Sequence, residues 1–113
     1  MQERRHAERF RLNLRARWES LLASGRGTIC DLSESGCFVL CGRRVRTGEL
    51  IRLAIDFPEH LVFAWGEVAY DVPEMGFALR FVFQEENERR GLKKLIASLR
   101  EGAFDTASQL RLT

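Results

Sequence analysis

The segment RLNLRARW, residues 11–18, alternates without a break. Leu12, Leu14, Ala16 and Trp18 fall on one side, and Arg11, Asn13, Arg15 and Arg17 on the other. A helix cannot sort residues in this way, so the two-residue period specifies a half-buried β-strand. The same period returns in LIRLAIDF, where Ile51, Leu53, Ile55 and Phe57 share a face. It returns again in GFALRFVF, with Phe77, Leu79, Phe81 and Phe83 inward. CFVLC, residues 37–41, is another strand, with Cys37, Val39 and Cys41 on one side; the cysteines there serve as small apolar fillers.

Turn-forming residues separate these runs. LLASGRGTIC predicts a turn at Ser24–Gly27 and then a short strand ending near Cys30. RTGEL, PEH and PEMG mark further breaks. In LVFAWGEVAYDV, Leu61, Phe63 and Trp65 share one phase, whereas Val68 and Tyr70 take the other. That change predicts a bulge or bend beside Gly66, a device that curves a sheet. Several short strands at such spacing predict an all-β sandwich or barrel, and a barrel also removes the exposed edges of a small sheet.

The period changes after Gln84. NERRGLKKLIASLREG places Leu92, Leu95, Ile96 and Leu99 at helical spacing, which predicts a C-terminal helix over about 87–101. Asn87 suits its N-cap and Gly102 its stop. Gly91 costs about 1 kcal/mol against Ala, so fraying is expected in the first turn. The apolar stripe needs a partner, and an open barrel end supplies one. The expected organisation is a flexible basic arm over 1–10, a barrel with its helix over 11–102, and a mobile tail over 103–113.

The chain has 113 residues, 45% of them hydrophobic and eight of them Phe, enough for one core. Net charge is +2, but residues 1–17 hold six Arg against two Glu, leaving net −2 for the remainder. This asymmetry points to an anionic partner for the arm. The three cysteines lack metal-site spacing and lie far in sequence from His6 and His60, so no metal and no cofactor is expected. The start is rich in Arg rather than apolar, and no run reaches the length of a membrane span. The expectation is a cytoplasmic protein with reduced thiols. No set of nucleophile, base and orienting group emerges, and Asp31 with Ser33 lacks a third member, so the expectation is not an enzyme.

Two short motifs carry chemistry. RRHAERFR contains Arg5 and Arg9 at R-x-x-x-R spacing. Each guanidinium fork can give paired hydrogen bonds to a phosphate or to the O6 and N7 of guanine. DLSESG contains Asp31, an acceptor for a guanine N1–H and N2–H edge, and Ser33, whose hydroxyl both donates and accepts. Gly36 can take positive φ at a tight exit and leaves room for a base to approach. Taken singly, the first motif reads equally as a solvated arm and the second as a hairpin turn. Together they describe a guanine-nucleotide site.

R-x-x-x-R near the start, followed about twenty residues later by D-x-S-x-x-G among β-strands, resembles the PilZ domain family of bacterial cyclic di-GMP receptors. The likeness extends over roughly residues 4–100, through TGELIRLAIDF, WGEVAY and MGFALRF. It implies a six-stranded antiparallel β-barrel with a C-terminal helix. It implies cyclic di-GMP as ligand, bound by Arg5, Arg9, Asp31, Ser33 and Gly36, with the arm wrapping the ligand against the barrel. Arg4, directly before the pair, is a third guanidinium that can engage a second nucleotide. On this reading the chain is a stand-alone receptor or adaptor whose output goes to a separate effector protein or through a homodimer. The rivals are a PilZ-like protein-interaction domain without nucleotide, and a small nucleic-acid-binding barrel. The arm lacks the aromatic stripe that a nucleic-acid surface needs, since only Phe10 lies among its basic residues.

Overall fold

The fold was analysed in a computed structural model, which describes residues 8–57, 60–82 and 85–102. Six strands form β1 (Phe10–Glu19), β2 (Ser24–Leu32), β3 (Gly36–Leu40), β4 (Leu50–Phe57), β5 (His60–Val72) and β6 (Gly76–Phe81), and one helix, α1, spans Glu86–Arg100. Every strand pairing is antiparallel, and the order β1-β2-β3-β6-β5-β4 closes into a barrel. Closure comes from β1 against β4, from Ala16↔Ile55 to Glu19↔Arg52.

The alternation of β1 sends Leu14, Ala16 and Trp18 into the core, with Leu12 packed at its margin. Trp18 meets Phe77 edge to face, their ring centroids 5.4 Å apart. Arg11, Arg15 and Arg17 stay outside. β3, β4 and β6 keep the expected faces, with Cys37, Val39, Ile51, Leu53, Ile55, Phe57, Phe77, Leu79 and Phe81 all buried. Phe83 lies outside the described residues, as do Arg4, Arg5, His6 and the segment 103–113.

Three local expectations are corrected. The first turn lies at Ser20–Ala23, not at Ser24–Gly27. Ser20 Oγ accepts from the backbone N–H of Leu22 and Ala23, at 3.1 and 3.2 Å, and so holds the chain reversal. Gly25 and Gly27 instead sit within β2, where they leave space: a Cβ on Gly25 would lie 3.0 Å from the Trp18 ring, and one on Gly27 2.6 Å from Val39. β2 therefore runs on to Leu32.

In β5 the inward residues are Val62, Ala64, Gly66 and Val68, one continuous phase through Gly66. Leu61 and Phe63 face outward, and the register slips between Val68 and Tyr70. Side-chain size misleads here. The larger residues of this strand cover the outside, and the small ones line a barrel already filled by Trp18, Phe77 and the helix.

α1 begins one residue before the expected position. Glu85 is its N-cap with no side-chain cap bond, while Asn87 lies inside the first turn and accepts from Arg90 Nη1 at 3.3 Å. Glu86 and Glu88 in that turn favourably oppose the helix dipole. Gly102 ends the helix with φ +79, a left-handed conformation suited to glycine. Leu92, Leu95 and Ile96, each 1% exposed, complete the single core. Burial of three such side chains contributes about 1.5–3 kcal/mol each.

Candidate functional site

The D-x-S-x-x-G residues form the bend between β2 and β3. β2 carries an irregularity between Ile29 and Asp31, which brings Asp31 opposite Phe38, while Leu32 pairs with Cys37. Ser33 N–H donates to the Gly36 carbonyl at 2.9 Å and closes the bend. The Ser33 hydroxyl is wholly buried. It accepts from Ser35 N–H at 3.2 Å, shares a hydrogen bond with Ser35 Oγ at 3.1 Å and lies 3.4 Å from the Gly36 carbonyl. It therefore shapes the bend from within, where the sequence suggested a group presented to ligand. The bend is tied to β6 by Phe81 N–H donating to the Ser35 carbonyl at 2.8 Å.

Gly36 also differs from expectation, because its φ is not positive. The residue pairs with Arg80, and a Cβ at this position would lie 2.2 Å from the Leu79 carbonyl oxygen. The glycine is required by the approach of β6. The space that the sequence reading reserved for a base is occupied by backbone.

Asp31 and Arg9 come together. Arg9 Nη2 lies 3.2 Å from Asp31 Oδ1, joining the described end of the arm to the bend. The contact is Coulombic rather than a formed hydrogen bond, since Asp31 Oδ1 is shielded from solvent and has no donor in bonding geometry among the described residues. An acceptor in that state is costly and calls for a donor. One residue before Arg9, Glu8 accepts from Arg100 Nε at 2.8 Å, which fastens the arm to the last turn of α1. The negative field of Asp31 reaches the neighbouring thiols. Burial, reinforced by Asp31, pushes Cys30 above its ordinary range, and burial pushes fully enclosed Cys37 much further in the same direction. Neither thiol is a poised nucleophile.

Beside Asp31 the outer surface continues across the register Asp31↔Phe38, Phe38↔Ala78 and Ala78↔Tyr70. Phe38 and Tyr70 stand with ring centroids 6.4 Å apart and planes tilted by 42° over this small-residue step. Tyr70 is largely exposed. The sequence reading did not single out this aromatic pair. The inward phase of Cys37 and Val39 places Phe38 outside, so half of the signal was present; the other half needed the β5 slip. Arg80, ion-paired to Glu67 on the adjoining strand, was also missed. Among the described residues, no group of His, Cys, Asp and Glu could hold a metal ion, and no helix is long and apolar enough to cross a membrane.

Comparison with known proteins gives three kinds of result. No characterised protein matches the chain by sequence search. Solved structures do match in fold. The PilZ domain with c-di-GMP of YcgR from Escherichia coli superposes with a TM-score of 0.74 at 15% identity, covering 93% of this chain and 98% of that one. The K. pneumonia MrkH–c-di-GMP complex gives 0.71 at 16% identity over 88% of this chain and 53% of its own. The Bacillus subtilis inhibitor of motility (MotI/DgrA) gives 0.65 at 20% identity over 90% and 52%. This chain thus spans about half the length of the latter two. The PilZ domain family profile matches residues 3–98, from the arm through most of α1. A closed six-stranded barrel, a terminal helix over its core, and a profile that takes in both motifs lead to one assignment: the chain belongs to the PilZ domain family.

Proposed function

We propose that this chain is a receptor for cyclic di-GMP, in which the basic arm closes on the β2–β3 bend and the closed state is read by a partner protein. One observation carries the reading: Arg9 of the R-x-x-x-R motif meets Asp31 of the D-x-S-x-x-G motif at 3.2 Å, and the Asp31 oxygen there has no hydrogen-bond donor among the described residues. A guanine N1–H and N2–H edge supplies such donors, and the Arg9 fork, released from its carboxylate, engages phosphate or the Hoogsteen edge. Phe38 and Tyr70 offer an aromatic floor beside the carboxylate, on which a purine can stack. Arg5, four residues before Arg9, adds a second fork, and Arg4 a third. Ser33 and Gly36 contribute by building the bend. Two of the similar folds, the YcgR PilZ domain and MrkH, are described with c-di-GMP.

Binding is a balance of comparable terms. Ordering each arm residue costs about 1–2 kcal/mol, and each charged hydrogen bond contributes about 1.5–3 kcal/mol. The expected affinity is of micromolar order, about −8 kcal/mol, and it weakens with salt as phosphates are neutralised.

The test is calorimetric titration of the full chain with cyclic di-GMP, GTP and single-stranded DNA in parallel. Saturable binding of the cyclic dinucleotide alone supports the reading. Arg9→Ala should weaken it at least tenfold with little change in thermal stability, because an exposed pair of this kind is worth no more than about 1 kcal/mol. Binding by Arg9→Ala equal to that of the parent removes the arm from the site. A ratio near two ligands per chain supports a role for Arg4, and a ratio of one at saturation rejects it.

A further inference from the structure

We propose a second binding surface, unconnected with the nucleotide: the outer face of strands β2, β1, β4 and β5 docks a segment of a partner protein that carries spaced carboxylates flanking an apolar side chain. The strand registers place Arg26 opposite Arg17, Arg17 opposite Ala54, and Ala54 opposite Phe63, one row across four strands. The next row brings Glu19 opposite Arg52. The row encloses a hollow of about 420 Å³ whose lining includes Arg17, Arg26, Arg52, Ala54, Leu61 and Phe63. A second hollow of about 280 Å³ continues it past Arg15 and Asp56.

Three observations give this face a ligand class. First, Arg17 and Arg26 are exposed cross-strand neighbours of like charge. Such a pair destabilises a sheet. Neither guanidinium, nor that of Arg15, enters an ion pair or hydrogen bond among the described residues. By contrast, Arg44 pairs with Asp71, Arg80 with Glu67 and Arg100 with Glu8. Carboxylates from outside would relieve the repulsion and match the planar forks. Second, the hollow holds exposed apolar side chains among its charged ones. Leu61 is 42% exposed and Phe63 36%, and Arg52 lies over the Phe63 ring at 4.5 Å, so an inserted side chain would meet both. Third, Glu19 and Asp56 stand on the same face. A nucleic acid or an anionic membrane presents negative charge at every step and would meet them unfavourably, whereas a peptide can space its carboxylates to avoid them. Arginines and an aromatic around a central recess are the usual anchors of protein recognition. Arg26 is five residues from Asp31 along β2, about 16 Å of strand, so both surfaces can be occupied at once.

The test uses the full chain and a fluorescein-labelled twelve-residue peptide of Glu-Glu-Leu repeats, read by fluorescence anisotropy. An oligothymidylate of similar length and phosphatidylglycerol vesicles serve as competing probes. The peptide should bind, and Arg17→Ala and Arg26→Ala should each weaken it about tenfold. Both variants should melt no lower than the parent, since a repulsive pair is removed, and Arg17→Gln provides a longer polar side chain as a check. Ala54→Phe, which fills the recess and keeps every charge, should weaken peptide binding to a similar degree. Arg9→Ala should leave peptide binding intact, which separates failure at this face from failure at the nucleotide site. The proposal is overturned if the peptide fails to bind, if removing both arginines leaves its affinity unchanged, or if the oligonucleotide or vesicles bind more tightly than the peptide.

Discussion

Gly36 satisfies the binding motif and the barrel at the same position, and the barrel makes the stricter demand. A methyl group there would sit 2.2 Å from the Leu79 carbonyl oxygen, which is backbone and cannot swing aside. Gly36→Ala should therefore lower stability by about 1–3 kcal/mol or more, seen as a lower urea midpoint. Loss of ligand binding in that variant would report the altered bend rather than a missing contact. Asp31 is the contrasting residue. Its side chain is 29% exposed at the surface of the bend, and its partner Arg9 is 57% exposed. Asp31→Ala should weaken cyclic di-GMP binding at least tenfold while costing no more than about 1 kcal/mol of stability, measured by calorimetry and thermal melting on the same sample. The sequence motif contains both residues, but it could not separate the one packed against β6 from the one exposed on the bend. Both roles use the same motif, and only the position of β6 distinguishes them.

At the scale of elements, the arm, the β2–β3 bend and α1 form a connected path. Arg9 touches the bend, and Glu8, its neighbour, touches Arg100 in the last turn of the helix. Holding the arm at Glu8 lowers the entropy that ligand binding must remove from it. Arg100→Ala should thus raise the Kd for cyclic di-GMP by about two- to fivefold, an effect that fades at high salt, with Arg100→Lys intermediate. The inward stripe of the same helix is a separate matter of stability. Leu95 is 1% exposed, and Leu95→Ala should cost about 2–5 kcal/mol, readable from denaturant unfolding. Helix and strands were legible because each buries one face at its own period. The β5 phase was not legible. Leu61, Phe63 and Trp65 satisfy alternation as well as Val62, Ala64, Gly66 and Val68 do, and only the volume already filled inside the barrel decides between them.

Among the described residues, barrel and helix share one core, and its buried thiol links stability to pH. Cys37 is fully buried, and burial raises its pKa well above the ordinary 9.0. The native state therefore retains the proton after the unfolded chain has released it. The contribution of this one group should be level below about pH 8 and should fall as pH rises above 9.0, by up to about 1.4 kcal/mol per pH unit. Urea midpoints measured on either side of pH 9 would show the decline, and the part due to Cys37 should vanish in Cys37→Ala. On the same global scale, Arg80 on β6 is ion-paired to Glu67 on β5, whereas Arg17 and Arg26 stand opposite each other on β1 and β2, a difference that net charge alone conceals.

Local order was readable from the chain by itself: alternation that requires strands, a helical stripe after them, and two motifs that mark the family. Each depends on neighbours a few residues away, and periodicity records such neighbours directly. Which glycines provide space and which provide turns, where β5 slips, how Ser33 is enclosed, and which arginines stand opposite one another all depend on strands far apart in sequence. Closure of the barrel sets these by bringing backbone carbonyls and side-chain volumes into shared space, and no single segment carries that information.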